Sequence, residues 1–597
     1  MTVFFQTGKL CIFRKTLNTS TFKLLFYRNY SDPVRKFKKF NDVVAERKGE
    51  ARRSIVVQVN SESSFNELYG YCSKYASIKD IHHYRNSERE HFMLIEFATE
   101  ESVKEVLKAC SSHQNNPDVM PIKSPFLWFK SVGNNKAKLN CPNTKRLATT
   151  DGVVSVDNEI LLEELHNCET VSSQIQHLYE RTKLNDLGVR LRYMVARQFE
   201  VIFSSLYANT EVHPFGSSVN GCGKMGCDLD LVLTSILNND MSDDRRRLVY
   251  QEKHAANRTR GTAQQLALLG TLLELRVPGA AGVVRVLAAR VPILKCTHQL
   301  AALHCDLTAN NTTGVHMSEL LWMFGCLDAR IRPLVFVVRS WAKAVGLTSP
   351  HPGPWITNFP LTLMVIFFLQ QKRNTGFILP PLKLLIDKAG KDDIRIAEEN
   401  INCTFLRDLN RLPQHTYAQC DEGLQDLLLQ FFEFYAQFDF REKAISIIEG
   451  APIRKPDSMP LYIVNPLEKA LNVSRNVSYE ECERFRLEVR NAAWHLETGL
   501  DGKKGDDWGL IGLLERSNLK GLKKLLRVGN SHRLVSVKDL FNDDPSETTN
   551  KSDAEIDKSV KEMKADIVTV EKKEQKLKFK NTQIASEVYR IRRNKVR

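Results

Sequence analysis

The chain has 597 residues, and 85 Lys and Arg against 70 Asp and Glu leave it a formal charge of +15. That length allows several domains with ample core, and the basic balance suits a polyanionic partner. No run is long and apolar enough to span a bilayer, which argues against membrane insertion, and the 13 cysteines include no C-x-x-C pair to mark a zinc or disulfide framework.

Residues 1–31 contain no Asp or Glu, while Lys9, Arg14, Lys15, Lys23 and Arg28 are spread among Phe, Leu, Ser and Thr. This is the pattern of a mitochondrial presequence, with cleavage expected after Tyr30 and a soluble protein of the mitochondrial matrix as the result. The presequence and linker are assigned to 1–40. A charged linker over 36–53 leads into a segment, 50–132, whose core reads as βαββαβ. Strands are expected at 55–59, 78–84, 91–97 and 120–129, and helices at 64–75 and 101–109. The order resembles an RNA-recognition module, yet its central strands lack the paired aromatic platform that stacks bases. Ile55, Val57 and Val59 alternate with Val56, so both faces of the first strand are largely apolar. That excess face favours a second subunit, hence a homodimer, over RNA binding.

Residues 133–152 read as a linker, followed by helical spacing over 158–179 and 187–207. Next comes the turn Phe215-Gly216-Ser217-Ser218, and ten residues beyond Ser218 the strand Asp228-Leu229-Asp230-Leu231. Residues i and i+2 of a strand share a face, so the two carboxylates project together. Such a pair needs a cation, and a divalent metal escorting a triphosphate is the usual one. The glycine lets backbone approach a phosphate and the serine offers a hydroxyl. Asp306, in His304-Cys305-Asp306-Leu307, is the candidate third carboxylate. Cys296, His298, His304 and Cys305 flank apolar segments and read as core rather than a zinc site. Residues 240–261 read as a polar, arginine-rich loop near the catalytic face. From 334 onward the pattern is helical, including 361–371 and 424–438, and Arg339 and Lys343 stand one helical turn apart. Beyond 501 the chain is basic and apolar-poor, and from 542 it reads as disordered. Its basic end, 589–597, suits an electrostatic hold on RNA.

The segments 215–232, 290–311, 337–367 and 465–473 together resemble the DNA polymerase β-like nucleotidyltransferases, in the branch of template-independent poly(A) and terminal uridylyl transferases. The resemblance covers roughly 150–500. It implies an α+β fold: a nucleotidyltransferase palm, a mixed sheet with helices, over 155–340; a mainly α-helical PAP-associated domain over 341–500; and the small RRM-like domain before them. A basic extension and tail make up 501–597.

The resemblance also implies roles. Asp228, Asp230 and Asp306 match the catalytic, metal-binding triad for two Mg²⁺ or Mn²⁺ ions, with Asp306 nearest the RNA 3′ hydroxyl. Gly216 and Ser217 match the turn that holds the β- and γ-phosphates, and Arg339 and Lys343 face the triphosphate. Asn310 and Asn311 match ribose contacts, although Met317 stands where several relatives carry a further asparagine. Asn358 matches a polar residue on the phosphates. Phe359 stands where a base-stacking tyrosine is usual. Base selection falls to Asn465, Glu468 and Leu471. Uridine-specific relatives have a histidine at Leu471, so the leucine leaves room for a purine and favours ATP.

The implied reaction adds AMP from ATP to the 3′ ends of mitochondrial RNAs, building poly(A) tails by in-line attack on the α-phosphate. A terminal uridylyltransferase and a non-catalytic RNA-binding scaffold are the alternatives. A CCA-adding enzyme is disfavoured, because its arginine- and aspartate-containing base-template motif is not evident.

Overall fold

The computed structural model describes residues 36–110, 122–130, 148–149, 156–207, 210–235, 258–372, 378–413, 416–417, 420–498 and 508–515. All lie in one compact unit, 1–518. The expected presequence, nearly all of the 133–152 linker, most of the 240–261 loop and the tail from 516 lie outside the described residues.

The first described element is α1 (Phe40–Arg52), followed by β1 (Ser54–Val59), α2 (Phe65–Cys72), β2 (Ile78–Arg85), β3 (His91–Phe97), α3 (Glu100–Lys108) and β4 (Phe126–Trp128). The strands line up as β4-β1-β3-β2, with a short β5 (Ala148–Thr149) added beside β2. The last strand is shorter than expected. Pro125, immediately before it, has no N–H to extend the ladder. One face of this sheet, with Ile55, Val57, Val59, Met93, Ile95 and Phe97, is closed by Leu68 and Cys72 of α2 and Val103 and Val106 of α3.

The other face corrects the sequence argument. Val56, Tyr84, Phe92, Leu94 and Phe126 are buried in one cluster with residues of the chain's own palm, including Leu187, Leu191 and Met194. The Tyr84 hydroxyl donates to the Leu300 carbonyl at 2.9 Å, and the Phe126 ring lies 4.8 Å from that of His298. The excess apolar surface is therefore covered within the chain. It is free neither for a second subunit nor for stacked bases. Glu96 seals this junction: Arg53, Lys79 and Arg190 donate to its carboxylate at 3.0, 2.9 and 2.8 Å. Burial alone would raise its pKa, but those three cations hold it below the usual carboxylate value.

The stretch expected as one helix over 158–179 is two, α4 (Asn158–His166) and α5 (Val171–Thr182). Thr170 starts the second with a reciprocal cap. Its Oγ1 accepts from the Ser173 N–H at 3.1 Å, and Ser173 Oγ accepts from the Thr170 N–H at 3.0 Å. Then comes α6 (Asp186–Phe203), capped by Asn185 Oδ1 on the Gly188 N–H.

The palm sheet comprises β6 (Thr210–Phe215), β7 (Leu229–Ser235), β8 (Ala280–Val286), β9 (Ile293–His298) and β10 (Leu303–Ala309), with α7 (Arg258–Arg276) between β7 and β8. The end of the expected 240–261 loop is thus already helical. Strand order is β6-β7-β10-β9-β8; β7 and β10 run parallel and every other neighbour is antiparallel, so the sheet is mixed. Leu229, Leu231, Leu294, Cys296, Cys305 and Leu307 pack inward with Phe199 of α6 and Leu266 of α7. Buried His298 accepts the Ala301 N–H on Nδ1 and meets Gln198 through Nε2, so it and the two cysteines are core, as expected, while His304 lies on the open face.

The rest is largely helical: α8 (Thr313–Leu327), α9 (Ile331–Ala344), α10 (Asn358–Leu369), α11 (Leu382–Asp387), α12 (Leu424–Gln437), α13 (Tyr479–Thr498) and α14 (Leu510–Glu515). A two-strand ribbon, β11 (Lys443–Ala444) and β12 (Ile453–Arg454), precedes α13. Leu161, Leu165, Ile175 and Leu178 of α4 and α5 join this helical core.

Candidate active site

The turn after β6 is built for glycine. Gly216 has φ +69°, and a Cβ there would lie 2.4 Å from Asp230 Oδ2. Its N–H donates to Ser318 Oγ at 2.7 Å, and that hydroxyl donates in turn to the Gly314 carbonyl at 2.7 Å. A Cβ on Gly314 would meet the Phe215 ring at 2.9 Å, so α8 clamps the turn through two small residues one helical turn apart. The two serines of the turn divide the work. Ser218 is buried, accepts from Arg192 Nε at 3.2 Å and donates to the Asp228 carbonyl at 3.2 Å, whereas Ser217 stays partly exposed.

Asp228 immediately precedes β7, and Asp230 lies within it. Asp306 on β10 is the direct register partner of Asp230, on a neighbouring parallel strand about 4.8 Å away. Leu229 and Leu231 are fully buried, so the carboxylates take the opposite, open face. Burial first, and then the charges of Asp306 and Asp228, push the Asp230 carboxyl up to about 7; Lys295 partly offsets them. Lys295, the register partner of Asp306 on β9, donates to Asp306 Oδ2 at 2.5 Å. Among the described residues no three His, Cys, Asp or Glu side chains are drawn together as tightly as ion ligands. An all-oxygen donor set, in which burial and two neighbouring carboxylates raise the Asp230 carboxyl, fits Mg²⁺ or Mn²⁺.

A second charge pattern surrounds the loop from Ser217 to Asp228. Arg192 donates to the Gly188 and Cys227 carbonyls, and Arg332 Nη2 lies 3.4 Å from Cys326 Sγ. Arg339 donates to Thr362 Oγ1 and to the Cys222 carbonyl at 2.8 Å. None of these, nor Lys224 or Lys343, meets a carboxylate among the described residues. Five cations around one loop without acidic partners create a field that calls for an anion.

The sequence candidates divide between those that stand open and those that are already engaged. Lys343 is exposed on α9, whereas Arg339 is half-buried beneath the loop and braces it through the Cys222 carbonyl. Asn358 is exposed at the start of α10; its carbonyl accepts from Thr362 Oγ1, which links it through Arg339 to the same loop. Phe359 beside it is half-buried against the helical core. Asn310, with φ +55°, and Asn311 follow β10 and lead into α8, and the Asn310 N–H is tied to the Leu233 carbonyl at 2.8 Å.

The base-selection loop is self-supporting. Asn465 is buried, and its Oδ1 accepts from the Leu467 and Glu468 N–H groups at 3.0 and 3.1 Å, so this side chain shapes the loop. The Asn465 N–H donates to the Leu471 carbonyl at 2.9 Å, leaving the Leu471 side chain half-buried at the surface. Glu468 is ion-paired with Arg290 of the palm. Sequence reasoning missed Lys295, Ser318 and Arg192. Lys295 carried a usable signal: in Leu294-Lys295-Cys296 the period of two places it opposite the apolar face, with Asp306.

Comparison with known proteins agrees with this geometry. Residues 171–325 match the family described as poly(A) RNA polymerase, mitochondrial-like, central palm domain, and residues 423–472 match the Cid1 family poly A polymerase domain. The poly(A) RNA polymerase, mitochondrial, of Drosophila melanogaster is 43% identical over 533 residues, 86% of each chain. The Homo sapiens protein of the same name is 34% identical over 522 residues, 86% of this chain and 87% of that one. A crystal structure of mtPAP in complex with ATPgammaS superposes with a TM-score of 0.71 at 32% identity, covering 80% of this chain and 99% of that chain. The chain belongs to the mitochondrial poly(A) RNA polymerase family.

Proposed function

We propose that this chain is a template-independent RNA adenylyltransferase of the mitochondrial matrix, transferring AMP from ATP to RNA 3′ hydroxyls and so building poly(A) tails. The observation that carries the reading is the meeting of opposite demands at one turn. Asp228, Asp230 and Asp306 call for cations, and the unneutralised cations around the Ser217–Asp228 loop call for a polyphosphate. A metal-bound nucleoside triphosphate answers both. The names of the Drosophila and human relatives point to adenylate.

In this reading Asp228, Asp230 and Asp306 hold two Mg²⁺ or Mn²⁺ ions. When bound, such ions lower the pKa of the RNA 3′ hydroxyl and offset charge on the triphosphate and the leaving pyrophosphate. Gly216 presents backbone and Ser217 its hydroxyl to the β- and γ-phosphates, with Lys343 beside them, while Arg339 keeps the loop in place. Asn310 and Asn311 take the ribose, Asn358 the phosphates, and Phe359 stacks on the base. Asn465 and Glu468 hold the loop that presents Leu471, whose aliphatic side chain admits a purine. Asp306, nearest the RNA end, accepts the 3′-hydroxyl proton. Homodimerisation remains part of the proposal, through a surface other than the sheet face covered by the palm.

The chemistry is tested by the RNA end. Oligoribonucleotides ending in a 3′ hydroxyl should be extended with ATP and a divalent cation, and the same oligomers ending in a 2′,3′-dideoxynucleotide should not. Binding of RNA without extension of either would favour the non-catalytic scaffold.

A further inference from the structure

We propose that Lys224 is a phosphate-binding residue which, together with Lys343, grips the terminal phosphates of the bound nucleoside triphosphate and the pyrophosphate that leaves. This rests on the adenylyltransferase reading for the identity of the nucleotide, but not for the chemistry of the grip.

The backbone around Lys224 is fixed against the turn. Gly223 passes so close to Ser217 that a Cβ would lie 2.5 Å from the Ser217 carbonyl oxygen. On one side the Gly223 carbonyl accepts from the Leu184 N–H at 2.8 Å, and on the other the Met225 N–H donates to the Thr182 carbonyl at 2.9 Å. The preceding carbonyl, Cys222, is held by Arg339, and Lys343 stands one turn further along the same helix. Of the five cations around the loop, Arg192, Arg332 and Arg339 have their guanidinium groups engaged by hydroxyl, carbonyl or sulfur atoms. Lys224 and Lys343 have no such partner among the described residues.

The two ammonium groups also act on one another. Burial first, and then the charge of Lys343, lower the pKa of Lys224. Lys343 alone has an ordinary explanation, since it is exposed in the last turn of α9, where a cation complements the helix dipole. Lys224 has none. A half-buried ammonium with a like-charged neighbour and no acceptor among the described residues is unfavourable until an anion arrives. The loop on which it sits runs from the phosphate turn to Asp228, so a polyphosphate held by Ser217 lies next to it.

The test uses the full chain and a probe without a base. Inorganic tripolyphosphate, with Mg²⁺ present, is titrated calorimetrically into wild type, Lys224→Met and Lys224→Arg, and a 3′-hydroxyl oligoribonucleotide is titrated separately. Lys224→Met should bind tripolyphosphate about tenfold more weakly, as expected for one lost charge-assisted hydrogen bond. Lys224→Arg should stay within about threefold, since the charge is kept. Oligoribonucleotide affinity should be unchanged, and Lys224→Met should melt no lower than wild type because an unpaired charge has been removed. Undiminished tripolyphosphate binding in Lys224→Met would overturn the proposal, as would a loss confined to the oligoribonucleotide. A drop in melting temperature shared by both variants would mark Lys224 as structural and overturn it too. Should the chain turn out to add a nucleotide other than AMP, the adenylate reading fails while this result stands, because tripolyphosphate carries no base.

Discussion

Gly216 and Asp230 face each other across β6 and β7 so closely that any side chain on the glycine would collide with the carboxylate: a Cβ would lie 2.4 Å from Asp230 Oδ2. The turn and the carboxylate are therefore one steric unit, so the phosphate and metal roles proposed for them stand or fall together. Gly216→Ala must both leave its left-handed conformation and displace Asp230. The expected cost is on the order of 1–3 kcal/mol in stability and about a hundredfold in nucleotide addition, from misplacement of the reacting groups. Thermal melting and single-turnover extension check both; an active, undestabilised Gly216→Ala would contradict the geometry.

Asp230 makes stability depend on pH. Its folded pKa of about 7 lies above its unfolded value, which is about 4. Between those values the folded chain keeps a proton that the unfolded chain has lost, so stability falls as pH rises through that window. Asp230→Asn removes the penalty. At pH 8, without divalent cations, it should melt several degrees above wild type, for a gain of about 1–2 kcal/mol. Mg²⁺ should stabilise wild type more at pH 8 than at pH 5 and leave Asp230→Asn nearly unmoved. Calorimetric scans that show the same Mg²⁺ effect at both pH values would rule out this carboxylate as the cation's partner.

Leu471→His should shift nucleotide choice. The side chain is half-buried, while its backbone is held by Asn465, so an imidazole can replace it without unfolding the loop. Relative use of UTP over ATP should rise about tenfold or more. Unchanged ratios in competition assays would move selection elsewhere, with Glu468 and its Arg290 partner the next to be tested.

The N-terminal sheet should melt together with the palm. Phe92, fully buried between them, stacks on Tyr84 with ring centroids 5.2 Å apart, so Phe92→Ala should cost about 3–5 kcal/mol. That loss should lower a single cooperative transition. A variant whose palm melts at the wild-type temperature would show that the two are independent.

Much of the site was legible because strands have a period of two. The spacing of Asp228 and Asp230, the glycine before them and the isolated Asp306 all pointed to one open face, and the βαββαβ order of 54–130 was visible in the same way. What escaped was everything decided by contacts between distant segments. Periodicity showed that both faces of β1 are apolar, but not that α6 and Leu300 cover the second one, so a partner subunit was invoked where the chain's own palm suffices. The helix spacing of Arg339 and Lys343 was right, but only packing reveals that one is half-buried and engaged by the Cys222 carbonyl while the other is exposed. Asn465 looked like a reader of bases, and its side chain turns out to be committed to two backbone N–H groups. An amide's hydrogen-bond capacity is visible in sequence; where it is directed is not.

Adenylyl transfer at the three carboxylates is tested most directly by extension of a 3′-hydroxyl oligoribonucleotide by the purified full chain with Mg²⁺ and each nucleoside triphosphate supplied alone, beside Asp306→Ala at equal folded concentration. The expected result is long extension with ATP, far less with UTP, CTP or GTP, and none by Asp306→Ala with any of them. Preferential extension with UTP, or undiminished extension by Asp306→Ala, would contradict it.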